Sequence, residues 1–332
     1  MPEFLRTHQK TIGIAVLLFA VALITGWNQP AFLKGDNLSD LARYTGLFGI
    51  LAVAAACVIV TGGIDLSMGA LVALVGVLFP ILVTGGTLFE SQLGSPLPVW
   101  LALAIVLAVS AVIGLVHGLL ITKLNLQPFL VTLCGLFVYR GFARIVANDA
   151  SQGFGDGFSE LKQVAHGRIA EIPYPALILL VLAAIVAVFL HRTVWGRHLL
   201  ALGRNEQAAR FSGIATDRMK IVAYVLCSTI CGFGGVMFVL ETNSALPSNF
   251  GQTYELYAIA GAVLGGCSLR GGECSLAGVV LGSAMVQVAQ QSVLFLVSDK
   301  WKLTVIGGFI LVGVIADELL RRYAAHRRTR TA

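Results

Sequence analysis

The sequence predicts an all-α polytopic membrane protein of about ten transmembrane helices. Three observations carry that prediction. Hydrophobic residues make up 57% of the 332 residues and charged residues only 12%, about half the roughly 25% a soluble domain uses to wet its surface. Mean hydropathy is +0.85, and apolar runs long enough for a bilayer core recur to the end of the chain. Glycine is frequent, at 37 residues, as expected where membrane helices pack closely or break.

The expected spans cover roughly 11–30, 44–61, 68–84, 98–122, 128–147, 173–191, 219–240, 254–268, 274–297 and 302–317. The eighth and tenth are short, which fits tilted or re-entrant segments. The first follows Arg6, His8 and Lys10 and has no small-x-small cleavage site after it, so it reads as an uncleaved helix rather than a signal peptide. With both termini inside, fifteen Lys and Arg fall on the cytoplasmic side. Six fall outside: Lys34, Arg43, Lys162, Arg168, Lys300 and Lys302. That asymmetry is the one expected for cytoplasmic loops, and it accounts for the net charge of +6 without any nucleic-acid partner. No soluble domain interrupts the chain, so residues 1–332 read as one transmembrane domain. Its longest inside loop is about 192–218, and its longest outside loop, about 148–172, is glycine-rich.

Several chemistries are excluded. No GxxxxGK[ST], HExxH or GxSxG motif occurs. The six cysteines (Cys57, Cys134, Cys227, Cys231, Cys267 and Cys274) form no CxxC pair and read as small apolar fillers, so neither a metal nor a cofactor is expected. Any ATP-driven work must come from another chain.

Two segments stand out. Thr61-Gly62-Gly63-Ile64-Asp65-Leu66-Ser67-Met68-Gly69 breaks two apolar spans with almost no loop. A carboxylate there must face water, a partner or a helix N-terminus. Asp65 and Ser67 suit N-caps for the helix from Met68; lining a substrate path is the second reading, and the two are compatible. The same glycine spacing returns at Gly271-Gly272 and Gly278, a weak internal echo of a broken-helix element. The inside loop from Thr193 to Ile214 is too polar to cross the membrane and too patterned for a slack linker. Asn205 can cap a short helix through Phe211, and Gly213 can end it. With Ala208 and Ala209 outward, such a helix suits docking into a partner's groove. Elsewhere, His117 reads as a hydrogen-bonded packing residue, Arg140 and Arg144 as side chains snorkelling to the outer interface, and Glu255 as an acid complementing a helix N-terminus.

Four ordered motifs resemble one family. Gly63-Ile64-Asp65-Leu66-Ser67-Met68-Gly69 resembles the GxIDLSxG signature of ribose-type ABC sugar permeases. His117-Gly118, Pro128-Phe129, Thr132-Leu133 and Arg140-Gly141 follow its next stretch. Gly203-Arg204-Asn205, Ala208-Ala209-Arg210 and Ser212-Gly213-Ile214 are similar to its cytoplasmic loop. Tyr254-Glu255-Leu256 through Gly265-Gly266 and Gly271-Gly272 are similar to its YEL…LGG segment. Gly261, Cys267 and Glu273-Cys274 depart from the pattern.

The resemblance implies a permease subunit of a monosaccharide importer in the inner membrane, with no catalytic residues of its own. It further implies a second permease subunit, identical or different, a cytoplasmic ABC ATPase and a periplasmic sugar-binding protein. Asp65, Ser67, Gly69, Glu255, Gly265 and Gly266 would then belong to the broken helices along the translocation path. Arg197, Gly203, Asn205, Arg210, Ser212 and Gly213 would belong to the loop that couples to the ATPase. The alternatives are a sister permease for branched-chain amino acids or nucleosides, an ion-coupled transporter, and a membrane enzyme. The ion-coupled reading leaves the 196–214 pattern without a role, and the enzyme lacks clustered acids, histidines or metal ligands at one membrane face.

Overall fold

A computed structural model describes residues 9–296 except 90, and scattered positions from 299 to 315. Most of the tenth expected span, 302–317, lies outside the described residues. Twelve α-helices occur among the described residues. Eight of them match expected spans closely: α1 (Gln9–Asn28), α3 (Met68–Thr84), α4 (Val99–Lys123), α5 (Pro128–Val146), α7 (Tyr174–Arg192), α10 (Thr216–Thr242), α11 (Tyr254–Leu264) and α12 (Leu276–Leu296). The helix α2 (Gly35–Ile59) starts nine residues before the expected 44. Its first turns carry Asp36, Asn37, Asp40 and Arg43, which hydropathy reads as loop. There Arg43 pairs with Asp40 at 3.1 Å, a helical i,i+3 contact.

Local chemistry sets the ends. Pro128 and Pro175 sit in the first turns of α5 and α7, where a missing N–H costs nothing. Gly85 ends α3 in the left-handed region. At eleven residues, α11 is about 16 Å long, half of the roughly 30 Å hydrocarbon core and too short to cross it as a helix.

The helices sort into two shells. The run Gly46–Ile59 of α2 and nearly all of α3 are buried, as are most of α10–α12. Outside them α1, α4, α5 and α7 leave large apolar side chains exposed, among them Phe19, Trp100, Phe137 and Val181. In a membrane that face is solvated by lipid tails.

Between the spans lie three short helices the hydropathy pattern does not separate: α6 (Ser159–His166), α8 (Val194–Arg204) and α9 (Glu206–Phe211). Both α8 and α9 lie between the end of α7 and the start of α10. By connectivity α6 lies at the opposite end of those two helices. A two-residue antiparallel pairing, Gln152–Gly153 with Ser244–Ala245, ties the loop before α6 to the end of α10.

Candidate functional site

The break between α2 and α3 is organised by Asp65. Its Oδ1 accepts from the Ser67 N–H at 2.8 Å and from the Ser67 hydroxyl at 2.7 Å. Asp65 thus closes a local turn ahead of α3 but does not cap it as expected, since the N–H it binds belongs to Ser67, before the helix begins. Ser67 does not act as the expected cap: it sits in the helical region, and its hydroxyl donates to Asp65 instead of accepting from a helix N–H.

Asp65 is only 3% exposed, and what surrounds it comes from three other helices. His117 of α4 brings Nδ1 to 3.9 Å from Oδ2, and Cys227 of α10 brings its thiol to the same distance. The other His117 nitrogen, Nε2, is 2.9 Å from the Tyr139 hydroxyl of α5, with Tyr224 edge-on to the ring. His117 is the hydrogen-bonded packing residue expected, and its partners make a buried polar seam around the break. No short-range pattern links positions 65, 117, 139 and 224, so sequence spacing could not assemble this seam.

Glu255 and Gly69 meet. A Cβ on Gly69 would collide with the Glu255 carboxylate and with the Gly251 carbonyl, so the first turn of α11 is seated against the first turn of α3. Arg140 holds this arrangement from α5. Its Nη1 donates to the Pro247 carbonyl at 3.0 Å and to the Phe250 carbonyl. It is therefore turned into the loop before α11 rather than snorkelling outward. Arg144 does turn to the surface. Its hydrogen bonds with Asp149 hold that acid below the usual carboxylate range.

The second break follows α11. Gly265 faces Gly278, and Gly282 faces the Gly261 carbonyl; a Cβ on Gly265, Gly278 or Gly282 would strike backbone, and one on Gly261 would meet the Ser283 hydroxyl. Two Gly-xxx-Gly faces thus bring α11 and α12 into backbone contact. Gly266, with φ +90°, makes the turn out of α11.

The two breaks touch each other and α8. The Gly272 N–H donates to the Val60 carbonyl at 2.8 Å, and the Arg270 carbonyl lies against Gly62. Gly203, in the last turn of α8, is wedged onto that joint: a Cβ there would strike the Val60 carbonyl and the Gly272 nitrogen. The glycine echo at 62–63 and 271–272 is therefore two connections meeting in space under one residue of the 193–214 loop.

The loop folds as the pattern predicts. Thr193 caps α8 by accepting from the Gly196 N–H at 3.1 Å. Asn205 caps α9 by accepting from the Ala208 N–H at 3.0 Å, and Gly213 follows with φ +83°. Gly196, Leu199 and Leu202 form the buried face of α8. Ala208 is exposed as expected, but Ala209 is buried, since it lies on the face that packs beneath α8. Arg210 ties α9 to α10, donating to the Thr216 hydroxyl at 3.2 Å and to Asp217 at 3.3 Å. Lys220 pairs with Glu206 at 2.7 Å. Between α8 and α9 lies a concavity of about 460 Å³ bordered by Arg197, Arg204, Asn205 and Ser212. Beside it Phe211 is 91% exposed.

The twelve sequence-selected residues therefore fall into two groups, Asp65/Ser67/Gly69/Glu255 with Gly265/Gly266 at the breaks and Arg197–Gly213 at the loop, joined at Gly203. Sequence reasoning passed over Tyr139, Tyr224 and Cys227. Among the described residues, no group of three or more His, Cys, Asp or Glu is placed to hold a metal ion.

Residues 37–314 match the family described as branched-chain amino acid transport system / permease component. The chain belongs to this permease family. It is an integral membrane permease and not an enzyme. The chain is 34% identical to the ribose import permease protein RbsC of Bacillus subtilis, over 95% of this chain and 98% of the relative. It is 33% identical to the galactose/methyl galactoside import permease protein MglC of Escherichia coli K12, over 94% and 95%. It is 32% identical to the ribose import permease of the same strain, over 95% and 94%. No solved structure matches this chain.

Proposed function

We propose that this chain is the membrane-spanning subunit of an ATP-binding-cassette importer and forms the path for a monosaccharide of the ribose, xylose or galactose type across the inner membrane. The names of the ribose and galactose permeases, similar over nearly the whole chain, support the substrate class. The observation that carries the mechanism is the seat of Gly203 on the joined breaks.

The partners in this reading are a cytoplasmic ABC ATPase, a second permease subunit and a periplasmic sugar-binding protein. Residues 1–332 act as one transmembrane unit with both termini cytoplasmic, which places α8 and α9 against the ATPase. Phe211 offers the apolar anchor, and Arg197, Arg210, Ser212 and Gly213 shape the face around it, with Asn205 keeping α9 formed. Movement of the docked loop is delivered through Gly203 to the connections at Val60–Asp65 and Gly265–Gly272. Packed interfaces shift between discrete arrangements rather than deforming smoothly. Asp65, Ser67, Gly69 and Glu255 would then set the position of α3 and α11 along the path, while Gly265 and Gly266 fix the angle of α11 on α12.

The family description names branched-chain amino acids, which keeps a sister permease as the second reading. Purification after gentle extraction, followed by mass spectrometry and uptake in the reconstituted complex, tests both. Co-purification of a duplicated ATPase, with ATP-dependent uptake competed by ribose or galactose, supports the proposal. Competition by leucine but not by sugars moves the assignment to the sister permease. Uptake that survives ATP depletion and collapses with an ion gradient refutes both.

A further inference from the structure

The first helix is fastened along α12. The Thr25 hydroxyl donates to the Ser292 hydroxyl at 2.8 Å, and Phe32, in the turn Pro30–Leu33 that follows α1, stands edge-on to Phe295. With α1 held there, a groove of about 450 Å³ is left between α1 and α7, walled also by α2 and α12. Its floor includes the buried side chains Leu41, Leu179 and Val288, and its rim the exposed Leu23, Leu38 and Leu180. Of the described residues that line it, only Thr45 is polar.

Depth and chemistry narrow the occupant. The groove opens where α1 ends and α2 and α7 begin, at the end of the molecule opposite α8 and α9. From Leu38 to Thr45 it follows α2 for about 10 Å. That fits within the roughly 15 Å of hydrocarbon one leaflet supplies, half of the bilayer core. A sugar gains nothing here, since its hydroxyls would leave water for a lining that cannot bond them. An acyl chain loses nothing.

The mouth carries the marks of a head-group level. Trp27, near the end of α1, is 89% exposed, and tryptophan is enriched where hydrocarbon meets water. Lys34 and Asp36 are both exposed, and they lie in the short stretch between two lining residues, Leu33 and Leu38. Further along α2, Asp40 is met by Arg43 at 3.1 Å. The stretch at the mouth thus presents one ammonium and one carboxylate, a pattern complementary to a head group that carries both signs.

We infer that this groove holds one acyl chain of a zwitterionic phospholipid, whose phosphate meets Lys34 and whose amine meets Asp36. The chain fills the gap between α1 and α7, so that the first helix is joined to the bundle on both sides. If the α8–α9 face is cytoplasmic, the lipid belongs to the outer leaflet.

The test is native mass spectrometry of the full chain in detergent, mixed with equal amounts of phosphatidylethanolamine and phosphatidylglycerol. The wild-type chain should retain one phospholipid, with phosphatidylethanolamine favoured about fivefold, the worth of one interfacial charge contact. Ala284→Phe puts a ring into the groove and should lower occupancy about tenfold, since shutting out two methylenes is worth that much. Asp36→Lys lies on the surface, so folding is not at stake, and it should turn the preference toward phosphatidylglycerol. A wild-type chain that retains no phospholipid overturns the inference. So does wild-type occupancy in Ala284→Phe, or an unchanged preference in Asp36→Lys. A dimer that Ala284→Phe dissociates gives the groove to a second copy of the chain and overturns it as well.

Discussion

Replacing Gly203 with alanine places a methyl group where the backbone of two other segments already lies. The added Cβ meets the Val60 carbonyl and the Gly272 nitrogen, the acceptor and donor of the 2.8 Å hydrogen bond joining the two breaks. Both neighbours are backbone, so no flexible side chain can step aside. Either α8 lifts off the joint, or the joint opens and its hydrogen bond is lost. An overpacked contact of this kind costs about 1–3 kcal/mol, and one lost hydrogen bond adds about 0.5–1.5 kcal/mol. Where the joint opens the sum is about 1.5–4.5 kcal/mol, carried almost wholly by one contact. The purified chain should therefore unfold at a lower temperature by differential scanning fluorimetry. In the reconstituted complex, sugar uptake per ATP hydrolysed should fall. Gly213→Ala is the control for the melting temperature alone. Nothing lies within 4 Å of its added Cβ, and only the strain at φ +83° applies, about 1–2 kcal/mol. A Gly203→Ala protein with wild-type melting temperature and wild-type uptake per ATP would refute the claim that Gly203 is wedged on the joint.

Three further outcomes are expected. Asp65→Ala strips the acceptor from both the Ser67 N–H and its hydroxyl in a buried site, a loss of about 2–4 kcal/mol. Asp65→Asn keeps one acceptor oxygen and should lose less than half of that, so equal melting temperatures for the two variants would remove the turn from the account. Asn205→Ala removes the cap on α9 and should cost about 1 kcal/mol locally, seen as faster amide exchange over 206–211, with Asn205→Asp restoring it. Arg140→Gln releases the Pro247 and Phe250 carbonyls. It should loosen the approach to α11 and raise protease sensitivity at 246–253, while unchanged cleavage would show that the loop is held by packing alone.

How much was legible in the sequence depends on the range of the interaction. Hydropathy located the spans because each apolar run answers to the bilayer locally, and α3 at 68–84 came out to the residue. It placed the start of α2 late, since Asp36, Asp40 and Arg43 interrupt the apolar run while the helix continues through them. Capping chemistry at Asn205 and Gly213 was readable because a cap bonds within three residues. Ser67 was misread for a related reason. Two nearby candidates competed for one cap, and only the geometry shows that neither takes it: Asp65 closes a turn on the Ser67 N–H, and the Ser67 hydroxyl donates to Asp65. The direction of Arg140 was not readable, because its acceptors lie more than a hundred residues away. The seam of Asp65, His117, Tyr139 and Tyr224 was hidden for the same reason.

The glycine echo gains its meaning from that long-range geometry. Taken alone, Gly62-Gly63 and Gly271-Gly272 are two turns in a glycine-rich chain. Gly62, Gly271 and Gly272 have φ of +80°, +85° and +79°, a region in which a side chain is strained, so local turn geometry already accounts for glycine at these positions. It does not account for Gly203, which has no positive φ and lies within a helix, where glycine costs about 1 kcal/mol relative to alanine. A helix tolerates that cost where a backbone must come closer than a methyl group permits, and the backbones approaching Gly203 belong to both breaks at once. A lever that met only one break would move one span against a fixed neighbour. A lever seated on the hydrogen bond between the breaks must shift α3 and the α11–α12 hairpin together. In the transport cycle the distance between residues 60 and 272 should therefore stay constant while both move relative to α4. Paired spin labels flanking these positions can measure this, and a 60–272 distance that changes with nucleotide would separate the two breaks.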